Sequence, residues 1–166
     1  MCSSDLTPVG RAQAEEAAGR LASAGLRRIV ASPYTRAIQT AMVIAGRLGL
    51  PISIDARVRE RAAFHCDIGT PAAELARRFP DLDFGGLGDP WWHDHLALGR
   101  AETEEELATR AASFRADMAA LADWRDVAVV THWGFIRAST GLTVPNCAVV
   151  RMAARHSAEI VHPVEP

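Results

Sequence analysis

Two stretches of the 166-residue chain set polar side chains just beyond runs that read as buried strands. Ser32 and Arg36 follow Arg27-Arg28-Ile29-Val30-Ala31, and Thr131 and His132 follow Val127-Ala128-Val129-Val130. In an α/β fold both positions fall outside the carboxyl ends of parallel strands, where ligands bind. Arg36 also opens a helical run, so its guanidinium would lie beside orphan backbone N–H groups, a combination suited to a phosphate. Taken singly these signals are ordinary, because a helix-start arginine is commonly solvated and a turn histidine commonly satisfied by its neighbours. Trp91-Trp92-His93-Asp94-His95 collects side chains of metal-ligand type, but it lacks a further ligand or a helical i, i+4 pair. That stretch reads better as aromatic packing on the core or as a cover over a substrate. For His65, His156 and His162 the pattern offers no partners, and surface or strand-edge roles are the default.

The elements that would position these groups follow from periodicity and punctuation. Thr7-Pro8 marks a helix start, and Ala14, Ala17, Ala18, Leu21 and Ala22 form a small-residue stripe over a helix of about residues 8–24. A strand is expected at 27–31, a helix from 34 to 48 stopped by Gly49 and Pro51, and a second strand at 51–55. Thr70-Pro71 starts a helix reaching about Phe79, and Thr103 with Glu106 forms a capping box for a helix to about Trp124. The run 127–130 is continuously apolar, as a doubly covered parallel strand requires. A helix at 135–140 and strands at 147–152 and 159–162 complete the alternation. Strands alternating with helices make an α/β layered fold.

Composition narrows the function classes. The 18 basic and 20 acidic residues leave a net charge of −2, without the basic excess of a nucleic-acid surface. The basic residues are all arginine, which reflects a GC-rich genome and carries no functional weight. No run approaches the roughly 18 apolar residues of a spanning helix, so no membrane partner is expected. Cys2, Cys66 and Cys147 are odd in number, scattered and without a CxxC pair, which argues for a reducing, cytoplasmic setting.

Ser32-Pro33-Tyr34-Thr35-Arg36-Ala37-Ile38-Gln39-Thr40-Ala41 closely resembles the SPxxRAxQTA segment of the histidine phosphatase superfamily, also called phosphoglycerate mutase-like. Leu6-Thr7-Pro8-Val9-Gly10 with Gln13-Ala14 is similar to its LTxxGxxQA helix opening, and Val129-Val130-Thr131-His132-Trp133-Gly134 to its VxSHGG strand end. Glu60-Arg61 looks like its acidic position. The resemblance implies a three-layer sandwich with a mostly parallel central sheet flanked by helices, and a metal-independent phosphoryl transfer without a cofactor. In that chemistry a histidine attacks phosphorus, a carboxylic acid protonates the leaving oxygen, and water later releases phosphate. By position, Arg36 would clamp the phosphate, His132 would donate to a phosphoryl oxygen, and Glu60 would be the general acid and base, with Asp67 as the fallback. Asn146 would line the pocket. The glycine-rich turn after the family's acid is replaced by Ala62-Ala63-Phe64-His65, and its second glycine after the histidine by Trp133. The partner so implied is a small phosphorylated metabolite or phosphate.

The family's nucleophilic histidine belongs to an Arg-His-Gly motif on a strand ahead of the LTxxGxxQA helix, and no Arg-His-Gly occurs in this chain. The expectation is a fragment, inactive as written, of a phosphomonoester hydrolase. Residues 1–6 are expected to be non-native, since Met1-Cys2-Ser3-Ser4-Asp5-Leu6 is what the end of a common sequencing adapter encodes with GTG as start; 7–166 would form the domain. An interior strand of five aliphatic side chains would contribute about 7–15 kcal/mol, comparable with the whole stability of a domain. The fragment alone is therefore expected to be poorly soluble. Alternatives are a non-catalytic phospholigand-binding module and a mutase-type phosphoryl transferase, the latter disfavoured by the chain's shortness. The variable stretch 64–100 carries no readable substrate code, and oligomeric state is not legible.

Overall fold

The apolar strand β1 (Arg28–Ala31) lies between β2 (Ile52–Ile54) and β3 (Val127–Val130), parallel to both. Ile29 faces Ile52 and Ala128 in the two registers, and Ala31 faces Ile54 and Val130. The computed structural model describes residues 5–152 and 158–162. Alternation along β1 divides the core into two layers. Ile29 and Ala31 pack with Ala18 of α1 (Pro8–Leu21) and with Ala41, Ile44 and Ala45 of α2 (Thr35–Leu48). Val30 points the other way, against Val58 of the turn Ala56–Val58, against Leu107, Ala111 and Phe114 of α5 (Glu104–Ala120), and against Phe135 of α6 (Trp133–Thr140). Helices thus cover both faces of a parallel sheet, the layered α/β architecture expected from the sequence. The strands β4 (Val149–Met152) and β5 (Ala158–His162) form a separate antiparallel pair.

A third apolar cluster seats the irregular middle of the chain on α2. Tyr34 and Ile38 pack with Leu75 of α3 (Ala72–Arg78), Phe79, Phe84 and Trp91. A one-turn helix, α4 (His95–Leu98), follows, capped by the Asp94 carboxylate, which accepts from the Ala97 N–H at 3.1 Å.

Several boundaries differ from the periodicity. The helix expected to reach Trp124 ends at Ala120, and Trp124–Asp126 form a 3-10 turn leading into β3. The helix expected from 135 begins at Trp133, placing His132 at its N-cap. The residues of β3 are all half-buried rather than covered on both faces, because among the described residues β3 pairs only with β1. His156 and residues 1–4 lie outside the described residues, and Leu6 of the opening hexapeptide donates its N–H to Gln39 Oε1 at 2.6 Å.

The capping box forms as read: Thr103 Oγ1 accepts from the Glu106 N–H at 3.1 Å, and Glu106 Oε2 accepts from the Thr103 N–H at 2.9 Å. Thr103→Ala is expected to cost about 1 kcal/mol. A lower denaturant midpoint with an unchanged slope is the corresponding observation.

Candidate active site

The ends of β3 and β1 meet through two side chains a hundred positions apart. His132 Nε2 lies 2.8 Å from Ser32 Oγ, and the Ser32 N–H donates to the Val130 carbonyl at 3.0 Å, which fixes one strand end against the other. Thr131 Oγ1 donates to the Val58 carbonyl at 2.6 Å, tying β3 to the turn at Ala56–Val58.

Tyr34 joins the arginine to the histidine. Its ring meets His132 edge-on at 5.3 Å between centroids, and the Arg36 guanidinium stands over it at 4.7 Å, within cation–π range. Arg36 Nη2 is 3.9 Å from Asp67 Oδ1. Asp67 Oδ2 accepts from the N–H groups of Ala63 and Phe64 at 3.0 and 2.9 Å, and the Tyr34 hydroxyl donates to the Asp67 carbonyl. Asp67 is therefore committed to shaping its own loop.

Glu60 Oε1 accepts from the N–H groups of Arg61 and Gly134, both at 2.9 Å. A Cβ at position 134 would lie 2.3 Å from Glu60 Oε1. Only glycine lets the carboxylate reach the first turn of α6.

Arg36, Glu60, Asp67 and His132 thus gather around Tyr34. Burial pushes the Glu60 carboxyl above its ordinary 4.5 and the Asp67 charge adds to this, while the two N–H donors and Arg36 pull the other way. Burial, then Arg36 and Arg110, hold His132 well below its ordinary 6.5, so it is neutral at pH 7. Burial and the Asp67 charge raise the Tyr34 hydroxyl, which stays protonated. The arrangement offers one fixed cation, one neutral imidazole and one carboxyl whose proton affinity burial raises. These are the components that bind an oxyanion and deliver a proton to a leaving oxygen.

The remaining sequence candidates have other surroundings. Asn146 sits on an exposed turn ahead of β4, with no hydrogen bond to Arg36, Glu60, Asp67 or His132 among the described residues. Trp91 is buried edge-on against Tyr34 at 4.9 Å and donates to the Thr70 carbonyl at 2.8 Å, the packing role expected of it. Among the described residues no three His, Cys, Asp or Glu side chains gather to hold a metal ion. His65 and His95 approach ring to ring at 6.2 Å, and His93 Nε2 lies 3.1 Å from the Arg100 carbonyl. Sequence reasoning missed Tyr34, which no pattern distinguishes from a core aromatic. It also missed Arg59, Glu102 and Arg110, for which a glutamate directly ahead of the capping Thr103 was the available sign.

The shifts on His132 and Glu60 give opposite pH dependences. For His132 the unfolded state binds a proton near pH 6.5 and the folded state does not, so stability is lost as pH falls below that value. For Glu60 the folded state protonates first, so stability is gained as pH falls through the raised value towards 4.5. Thermal unfolding from just above pH 6.5 to a unit below it should show a falling midpoint, and the fall should shrink in His132→Asn.

Comparison with known proteins gives the family. Residues 2–158 match the histidine phosphatase superfamily (branch 1). Glucosyl-3-phosphoglycerate phosphatase of Mycolicibacterium vanbaalenii is 32% identical over 161 residues, an alignment covering 88% of this chain and 68% of that protein. The solved native structure of a mycobacterial glucosyl-3-phosphoglycerate phosphatase superposes with a TM-score of 0.55 at 27% identity, covering 81% of this chain and 65% of that one. This chain therefore spans just under two-thirds of that relative. The same phosphatase in complex with inorganic phosphate gives a TM-score of 0.57 at 27% identity, covering 81% and 67% of the two chains. The structure named mycobacterial hydrolase 1 gives 0.56 at 28% identity, covering 86% and 71%. With its layered sheet, its Ser32–Arg36 and Thr131–His132 strand ends and a match along nearly its whole length, the chain belongs to the histidine phosphatase superfamily, branch 1.

Proposed function

We propose that this chain carries the phosphate cradle and the general acid of a phosphomonoester hydrolase that works through a phosphohistidine. The observation that carries the reading is that Arg36 and His132, from separate strand ends, meet on one ring: the Arg36 guanidinium stands 4.7 Å over Tyr34 and the His132 ring meets it edge-on at 5.3 Å. Arg36 and His132 would hold the equatorial phosphoryl oxygens by charge-assisted and neutral hydrogen bonds. Glu60, whose hold on a proton burial strengthens, would give its proton to the ester oxygen as the P–O bond breaks and the nucleophile's N–P bond forms. As a carboxylate it would then take a proton from the water that cleaves N–P and frees phosphate. Glu60 suits this role better than Asp67, whose carboxylate is held by two N–H groups and Arg36.

These 166 residues contain no Arg-His-Gly, and the reading gives His132 the role of holding a phosphoryl oxygen rather than that of the nucleophile. The chain by itself is therefore proposed to bind phosphate without turnover. The missing motif also keeps a second reading in view, a phospholigand-binding module that has lost catalysis. The relatives support a phosphatase, the phosphate complex supports an oxyanion ligand, and the scattered cysteines support a cytoplasmic setting.

The test has two arms. Calorimetric titration with inorganic phosphate should show saturable binding, and p-nitrophenyl phosphate should not be hydrolysed. Absence of phosphate binding would overturn the cradle, and turnover by these residues alone would overturn the assignment of the nucleophile. Genomic DNA upstream of the Thr7 codon decides between the readings: an apolar run ending in Arg-His-Gly gives the hydrolase, and an in-frame stop gives the binding module.

A further inference from the structure

Beside the site lies a buried charge cluster that the reaction itself does not use. Glu102 is 2% exposed and precedes the N-cap of α5. Its carboxylate accepts from Arg110 twice, Nε to Oε1 at 3.0 Å and Nη2 to Oε2 at 2.7 Å, and from Arg59 Nη2 at 2.8 Å. It also accepts the Ala62 N–H at 3.3 Å, and the Glu102 N–H donates back to the Ala62 carbonyl at 2.8 Å.

The second half of the cluster grips backbone. Arg110 Nη1 donates to the carbonyls of Arg57 and Arg59 at 2.7 and 2.9 Å, and Nη2 reaches the Glu60 carbonyl at 3.5 Å. Arg59 Nη1 donates to the Ala56 carbonyl at 3.3 Å, and Arg61 Nε donates to the Glu102 carbonyl at 2.9 Å. Every residue flanking Glu60 is thus tied to position 102 or 110, while the Glu60 carboxylate alone turns towards Gly134. Taking two guanidinium groups and a carboxylate out of water is costly and is a weak route to stability. The return here is geometric, because a bidentate arginine fork fixes direction as well as distance.

We infer that Glu102 is a positioning residue for Glu60, acting through Arg110 and Arg59, which together hold the backbone of residues 57–62 so that the Glu60 carboxylate meets the start of α6. This rests on the reading of Glu60 as the general acid, although the positioning itself is a property of the unliganded protein. The groups facing Glu60 from the neighbouring elements are Arg36, Asp67, Tyr34 and the N–H groups of Arg61 and Gly134.

The test uses the whole chain and follows amide hydrogen exchange by NMR in the wild type, Glu102→Gln and Glu102→Asp. In Glu102→Gln the Gly134 amide should exchange about tenfold faster, relative to the β1 amides, as befits one lost hydrogen bond. The carboxyl midpoint of Glu60 should also move down towards 4.5 as the acid gains solvent. Glu102→Asp, which restores the charge on a shorter arm, should recover part of both changes. Arg110→Lys keeps the charge and loses the fork, and it should reproduce the Gly134 effect if Glu102→Gln does not fold. Equal acceleration at Gly134 and β1, with an unmoved Glu60 midpoint, would reduce the cluster to a structural role and overturn the proposal. Should phosphate leave the Arg36 and His132 signals of the wild type unchanged, the functional reading fails while the positioning result stands.

Discussion

Arg36→Ala should weaken inorganic phosphate binding by about 10- to 150-fold, the loss of charge-assisted hydrogen bonds of roughly 1.5–3 kcal/mol. The guanidinium already rests on the Tyr34 ring and lies 3.9 Å from Asp67, so its direction is set before a ligand arrives. Arg36→Lys keeps the charge but presents a point donor instead of a planar fork, and it should recover only part of the affinity. Titration calorimetry at fixed ionic strength measures both. Arg36 is also a cause of the lowered His132 and opposes the raised Glu60, so its removal should shift both groups upward. Unchanged phosphate affinity in Arg36→Ala would remove this arginine from the cradle.

Phe114→Ala should cost about 3–5 kcal/mol, the usual penalty for emptying a buried aromatic position. Phe114 is buried on α5 against Val30, Val58 and Phe135, edge-on to the last at 5.9 Å, and its ring also carries the Arg57 guanidinium at 5.4 Å. It therefore supports the central strand, the turn before Glu60 and the first half of α6 at once. Because whole domains are stable by only about 5–15 kcal/mol, the variant should unfold at a much lower denaturant midpoint. Phe114→Leu refills most of the volume and should recover the larger part. A Phe114→Ala midpoint close to that of the wild type would show that α5 is not held by this contact.

Local chemistry made the layered fold legible before any coordinates. The short β-branched run at 27–31 and the continuous apolar run at 127–130 read as strands of a parallel sheet, and the Thr103 capping box announced the start of α5. The pairing of Ser32 with His132 was legible only as two strand ends on one face; their 2.8 Å contact is a product of register, which periodicity does not encode. Tyr34 was invisible for a related reason, since its phenol differs from a core phenylalanine only by a hydroxyl that finds the Asp67 carbonyl. The proposal of Glu60 over Asp67 as the acid rests on which carboxylate the loop consumes, a question of three-dimensional hydrogen bonding.

The links between the strand ends and their loops have a thermodynamic consequence. Thr131 to Val58, Glu60 to Gly134 and His132 to Ser32 stitch three separate stretches of chain into one rigid seam. An entering anion would find its donors already aimed and would freeze few additional rotamers, so little of its binding enthalpy should be surrendered to ordering the protein.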